Sequence, residues 1–232
     1  MIDRMNLLFT GASGFLGYNV LPLLKKKYSV ETIGLTSQDD YIVNLAAEIP
    51  KLAGKYDVIL HVAGKAHSLP KTEAEKRLFF DVNLQGTKNL CTALEQSGIP
   101  KSFIFISTVA VYGCDSGENI TEEYPLNGTT PYALSKIKAE KYLEEWCAMH
   151  NVKLSILRPS LIAGPNPPGN LGAMIHGIKS GKYLSIAGGK AQKSVLMVQD
   201  IANLVPLLIE KGGIYNVCDS YQPSFRELER SE

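Results

Sequence analysis

Eight residues near the start of the chain, Thr10-Gly-Ala-Ser-Gly-Phe-Leu-Gly17, constrain its fold more than any other segment. They follow Asn6-Leu-Leu-Phe-Thr10, a short apolar run stopped by glycine, which reads as a buried strand. They lead into a helix expected from about Gly14 to Lys26, with three lysines at its end, where positive charge suits the helix dipole. A strand, a tight turn and a helix in that order present free backbone N–H groups at the helix N-terminus, a site for phosphate. Gly11 allows the turn, Gly14 lets the backbone approach a pyrophosphate, and Gly17 lets the helix pack on the strand. Gly11, Ser13, Gly14, Phe15, Leu16 and Gly17 are therefore candidate contacts to a dinucleotide.

The rest of the chain continues the alternation. Strands are expected at residues 28–35, 57–63, 103–107 and 153–158. Helices are expected at 46–53, at 71–97 with a break near Asn83, and at 131–150. Uniformly apolar strands separated by helices indicate a parallel sheet covered on both faces, wound right-handedly into a doubly wound α/β fold. After a loop rich in proline and glycine (160–172) the pattern weakens: a helix near 171–179, a strand near 194–198, a helix at 200–210 and a strand at 213–217. The division this suggests is a dinucleotide-binding domain over 1–159, its sheet completed by 199–217, and a small substrate-binding portion made of 160–198 and 218–232.

Bulk properties exclude several classes. The 232 residues are 45% hydrophobic and 20% charged, with a formal net charge of +1, so no electrostatic footprint for nucleic acid or an anionic membrane exists. Gly11, Gly14, Gly17 and Pro22 interrupt the apolar N-terminal stretch, which argues against a signal peptide or membrane span. Cys91, Cys114, Cys147 and Cys218 are widely spaced, and no HExxH pattern occurs. No metal site is expected, and a reducing cytoplasm is the simplest location.

Tyr132-Ala-Leu-Ser-Lys136 opens the helix after the fourth long strand. One turn apart, the two side chains share a helix face. A tyrosine pKa of about 10 is too high for a base at neutral pH, and a neighbouring ammonium lowers it. In a chain with 11 tyrosines and many lysines such a pair arises by chance, so its weight comes from its position downstream of the glycine loop. Ser107-Thr108 ends the preceding strand, at the sheet edge where ligands sit. Thr108 is the candidate hydrogen-bond partner of a reacting substrate oxygen, with Ser107 as runner-up. The second strand ends Gly34-Leu-Thr-Ser37, offering neither a carboxylate for ribose hydroxyls nor a base for a 2′-phosphate. Asp39 and Asp40 follow as candidate loop residues in water, and NAD is favoured over NADP without excluding it. Spacing puts Asn44 and Leu45 near the adenine, and Ala63 and Gly64 near its ribose.

The segments TGASGFLG (10–17), HVAG (61–64), DVNLQGTKNL (81–90), FISTVAVYG (105–113), PYALSKIKAE (131–140) and LRPSLIAGP (157–165) together resemble the extended short-chain dehydrogenase/reductase family, in its NAD-dependent epimerase/dehydratase group. The resemblance spans nearly the whole chain. It implies a Rossmann-type fold with a small, C-terminally incomplete substrate-binding portion, and a catalytic triad of Thr108, Tyr132 and Lys136. It implies that Asn83 supports the active-site backbone or cofactor, and that Pro159 and Ser160 lie by the nicotinamide, with Ser107, Tyr132 and Lys136 also meeting the cofactor. Asn170 and Lys193 match positions that contact a nucleotide diphosphate. Relatives commonly carry arginine at the second, and lysine keeps the charge without the bidentate fork.

Sugar 4,6-dehydratases carry an acidic pair after the threonine, where this chain has Val109 and Ala110. Epimerase/reductases that invert neighbouring carbons place a cysteine at the position of Ala110. Oxidation and reduction at one carbon remain, and the leading expectation is a 4-epimerase of a UDP-linked sugar. The alternatives are a reductase of a keto-sugar or other carbonyl, and a cofactor-binding protein without turnover. Family members continue several tens of residues past the segment 215–228, which leaves open a truncated chain, a smaller substrate or lost turnover. Relatives often dimerise through a four-helix bundle formed by helices equivalent to 84–97 and 131–150. Tyr142 and Trp146 suit either that bundle or the core.

Overall fold

A computed structural model describes residues 4–66, 68–183 and 189–230. Seven parallel strands form one sheet, in the order β3-β2-β1-β4-β5-β6-β9. These are β1 (Asn6–Thr10), β2 (Ser29–Gly34), β3 (Tyr41–Ile42), β4 (Val58–His61), β5 (Ser102–Ile106), β6 (Lys153–Pro159) and β9 (Gly213–Val217). A separate pair, β7 (Leu161–Ala163) and β8 (Val195–Met197), lies beyond the end of β6. The strand order reverses between β1 and β4. The crevice outside their C-terminal ends is the ligand position of an open α/β sheet.

The central strands supply both faces. Leu7 and Phe9 of β1 point to one cluster with Val20 and Leu24 of α1 (Phe15–Leu24) and Ile201 and Val205 of α6 (Val198–Lys211). Leu8 points to the other, with Leu90 and Leu94 of α3 (Gly86–Ser97) and Leu143 and Trp146 of α4 (Pro131–His150). This explains the unbroken apolar strand sequences. The remaining helices are α2 (Glu73–Phe80), α5 (Gly169–Lys179) and α7 (Phe225–Arg230).

Local chemistry fixes the element starts. At α2, Thr72 accepts a hydrogen bond from the Glu75 amide at 3.2 Å, and Glu75 accepts one from the Thr72 amide at 3.2 Å. At α4, Thr130 accepts from the Ala133 amide at 3.1 Å and Pro131 takes the first helical position, so the start of the helix bearing Tyr132 is pinned.

One local expectation is corrected and another is sharpened. Residues 46–53 form only a turn near Ala46, because Pro50 lacks an N–H and disfavours helical geometry at Ile49. The stretch 71–97 is interrupted near Asn83, as expected. It passes through a single π-turn, Asp81–Gln85, that joins α2 to α3. The two-residue strand β3 and the short 3₁₀ turn Val109–Tyr112 give no periodic signal in the sequence.

Candidate active site

A cavity of about 570 Å³ fills the crevice at the strand switch. Its walls include Gly11, Ser13, Gly14, Phe15 and Leu16 of the first turn, Asn44 and Leu45 after β3, Ala63 and Gly64 after β4, and Ser107 and Thr108 after β5. Tyr132, Lys136, Pro159 and Ser160 close its far end. Ile33, Val62, Val82 and Ile162 add apolar wall that the motif reading missed; strand and helix ends facing a crevice are marked by topology, not by residue type. Gly17 and Asn83 lie behind the wall. A Cβ on Gly17 would stand 2.3 Å from the Ala12 carbonyl oxygen, so this glycine serves helix packing. Gly11 has φ +82°, and a Cβ there would stand 2.7 Å from the Ala63 amide nitrogen, so the turn and the close approach of β4 both require glycine.

Where β2 ends, the wall is Ile33, Gly34 and Leu35. Asp39 is not a solvated loop carboxylate, whereas Asp40 is exposed, as expected. Asp39 is buried and accepts from the Thr36 amide at 3.0 Å and hydroxyl at 2.7 Å. Asp40 accepts from the Thr32 amide at 2.8 Å and hydroxyl at 2.9 Å. Both are spent on shaping the turn after β2.

Tyr132 and Lys136 share the inner face of the first turns of α4. Burial pushes the Tyr132 phenol up from its ordinary value, and a hydrogen bond with Thr108 pulls it down. Burial lowers the Lys136 pKa to about 8, while Glu140 one turn later acts to raise it. The Lys136 ammonium donates to the Ile106 carbonyl at 2.8 Å and lies 4.5 Å from the centre of the Phe105 ring. It is thereby aimed past the end of β5 towards the crevice. Thr108 also accepts from the Ala110 amide at 3.2 Å, which holds its side chain at the mouth of the 3₁₀ turn. The Ser107 hydroxyl instead donates to Glu140.

That bond belongs to a buried network the sequence did not reveal. Glu140 and Arg158 are 2% and 3% exposed and pair at 2.6 Å. Arg158 continues to the Tyr112 hydroxyl at 2.9 Å and the Glu122 carbonyl at 3.0 Å, and Tyr112 donates to Asn216 at 2.6 Å. Such a pair is tolerated in a core when further hydrogen bonds offset the lost solvation, and here the Ser107 and Tyr112 hydroxyls and the Glu122 carbonyl supply them. It fastens α4 to β6, β9 and the 113–130 loop.

A second cavity of about 1300 Å³ adjoins the first. Thr108, Pro159, Ser160 and Leu161 line both, so the two meet beside Tyr132. Asn170, at the start of α5, and Lys193, before β8, are exposed on its wall. The other charged groups lining it are Asp115 and Glu118. Cys114 and Cys218 line it as free thiols, while Cys91 and Cys147 are buried among core side chains. Trp146 is likewise committed to the core, donating to Glu95 at 2.7 Å and packing edge-on to Phe103.

Residues 7–218 match the model of the NAD dependent epimerase/dehydratase family. The chain belongs to that family. Among its curated relatives, an N-acetyl-alpha-D-glucosaminyl-diphospho-ditrans,octacis-undecaprenol 4-epimerase from Escherichia coli O157:H7 is 30% identical, over 96% of this chain and 70% of that protein. A GDP-6-deoxy-D-mannose reductase from Pseudomonas aeruginosa is 26% identical, over 96% and 77%. Among solved structures, that of RMD from Pseudomonas aeruginosa complexed with NADPH superposes with a TM-score of 0.79 at 25% identity, covering 98% of this chain and 80% of that one.

As a member of the epimerase/dehydratase family the chain is a Rossmann-type, NAD(P)-dependent enzyme, and its residues fit the cofactor. The glycine turn leaves the amides at the start of α1 facing the cavity. At the opposite end the Ser160 hydroxyl is buried without a hydrogen-bond partner, a polar atom left for a ligand to satisfy. Among the described residues no group of three or more His, Cys, Asp or Glu side chains is gathered to hold a metal, and no helix is long and apolar enough to cross a membrane.

Proposed function

We propose that the chain is a nucleotide-sugar 4-epimerase, acting on a UDP-linked sugar with Thr108, Tyr132 and Lys136 as its catalytic group. The observation that carries this reading is the meeting of the two cavities at Thr108, with Tyr132 lining the first cavity beside it and Lys136 one turn behind. Nicotinamide, when bound, supplies a hydride acceptor and then a donor. Tyr132 takes the proton of the sugar hydroxyl at its phenolic oxygen and later returns it. Lys136 stabilises the phenolate by its charge. Thr108 holds the reacting oxygen, and the Ser160 hydroxyl orients the cofactor ring, while Asn44, Leu45, Ala63 and Gly64 border the adenosine half. Val109 and Ala110, which follow Thr108, carry no proton-transferring group, which supports chemistry at one carbon only.

In this reading residues 160–198 and 218–232 form the substrate portion, since Asn170, Leu171, Lys193 and Phe225 line the second cavity. Lys193 and Asn170 meet the diphosphate. The test is a panel of UDP-hexoses incubated with NAD-saturated protein and analysed for 4-epimers. A conversion lost in Tyr132→Phe supports the proposal. The similarity to a reductase favours a second reading, in which the same residues reduce a keto-sugar and cofactor is consumed stoichiometrically. Cofactor binding with neither outcome would mark a binding protein.

A further inference from the structure

His61 ends β4 and is fully buried, stacked on Phe105 with ring centres 5.6 Å apart and edge-on to Phe103. Both ring nitrogens are engaged, and the direction of each bond can be derived. The Thr10 hydroxyl oxygen accepts from the Val62 amide at 3.2 Å and the Ala63 amide at 3.1 Å. A hydroxyl has two acceptor sites and one hydrogen, so that hydrogen goes to His61 Nδ1, 2.7 Å away. A neutral imidazole accepting at Nδ1 carries its proton on Nε2. It therefore donates to the Thr87 hydroxyl at 2.9 Å, and Thr87 spends its own hydrogen on the Asn83 carbonyl at 2.7 Å. Burial, reinforced by the Lys136 ammonium, lowers the His61 pKa to about 3 and keeps the ring in this form.

The chain of bonds does not stop at Asn83. Its side-chain amide accepts from the Lys65 amide at 2.7 Å and donates to the Lys65 carbonyl at 3.1 Å and the Ser135 hydroxyl at 2.8 Å. Ser135 then donates to the Tyr132 carbonyl at 2.7 Å. Thr10, His61, Thr87, Asn83 and Ser135 are each at most 1% exposed. The path thus runs from the residue that opens the glycine turn, through the π-turn, to the helix start that bears Tyr132 and Lys136. We propose that His61, as a neutral ring protonated at Nε2, is a positioning residue that holds the cofactor turn and the catalytic helix in one fixed register. Bonds of one direction throughout leave no alternative arrangement for either end to slip into.

Two experiments test this. Nitrogen-15 spectra of the histidine rings in the NAD-bound protein, with His61 assigned by its absence from His61→Gln, are expected to show a protonated Nε2 and a bare Nδ1 unchanged from pH 5 to 8. An Nδ1–H form, or a second proton gained in that range, overturns the proposal. This arm does not depend on the proposed reaction. The second arm rests on it. Thr87→Val keeps the shape of the side chain and removes the hydroxyl between His61 and Asn83. It is expected to lower kcat by about tenfold with the sugar KM within about twofold, and Thr87→Ser is expected to restore kcat. A Thr87→Val protein with lower Tm and unchanged kcat would show a purely structural link and overturn the positioning role. If neither wild type nor variant turns over a UDP-sugar, the reaction assignment fails while the nitrogen spectra still decide the role of His61.

Discussion

The two cavities that meet at Thr108 are built in different ways. The cofactor cavity is shaped by backbone: a glycine turn at φ +82°, strand ends, and a helix N-terminus packed to within the radius of a Cβ. The second cavity, proposed for substrate, is more than twice as large, and its charged wall consists of Lys193, Asp115 and Glu118 on exposed segments. A backbone-built site tolerates few substitutions and binds one kind of ligand. A side-chain-built site can change its ligand by changing a few residues, which is how one family holds epimerases, dehydratases and reductases on one fold.

Several substitutions sharpen that contrast. The largest effect is expected at the junction. Tyr132→Phe removes the proton carrier and should lower kcat by about 10³-fold, with the cofactor Kd within about twofold, read by single-turnover kinetics and titration calorimetry. An active Tyr132→Phe protein would separate this tyrosine from the chemistry. On the backbone-built side, Gly11→Ala forces a Cβ against Ala63 in a left-handed conformation. It should weaken NAD binding by about 10–100-fold, measured by calorimetry. Near-normal affinity would mean that the turn is not a rigid cradle. On the side-chain-built side, Lys193→Ala should weaken UDP binding to the NAD-saturated protein by about tenfold and leave NAD affinity unchanged. No change would remove Lys193 from the diphosphate site.

The smallest effect concerns the stability of the catalytic group itself. The folded-state pKa of Lys136 is depressed, so between about 8 and its ordinary value the unfolded chain binds more protons, and stability rises with pH through that window. Below about pH 8 the buried ammonium costs stability. The Tm gap between Lys136→Met and wild type, measured by calorimetry on the cofactor-free protein, is expected to favour the variant at pH 7 and to narrow by pH 9. A gap that widens with pH would reverse the sign assigned to this lysine.

The sequence revealed those parts of the molecule whose cause is local. The glycine turn, the apolar strands and the Tyr132–Lys136 spacing are contained within eight residues or fewer, and their geometry follows from φ preferences and helix periodicity. The Ser107–Glu140–Arg158–Tyr112–Asn216 network joins positions more than 100 residues apart, and none of its members is unusual by type or neighbour. Its consequence for function, that Ser107 is occupied and Thr108 is the hydroxyl at the junction, could only follow from packing. Asp39 teaches the same lesson in reverse: an acidic residue after a strand end suggested solvent, and the fold buries it as a cap for Thr36. The expected helix at 46–53 is instead a turn at 45–47, because Pro50 lacks an N–H and disfavours helical geometry at Ile49.

The central claim is that hydride leaves and returns to one sugar carbon inside a site that Tyr132 serves. It is tested most directly by incubating the NAD-saturated protein with UDP-N-acetylglucosamine and with UDP-glucose in deuterium oxide and examining the products by proton spectroscopy and absorbance. The account predicts the 4-epimer of one of them, with its carbon-bound hydrogen retained, no deuterium at C4 and no net reduced cofactor. Deuterium at carbon, stoichiometric change in the cofactor, or no epimer with either sugar would contradict it.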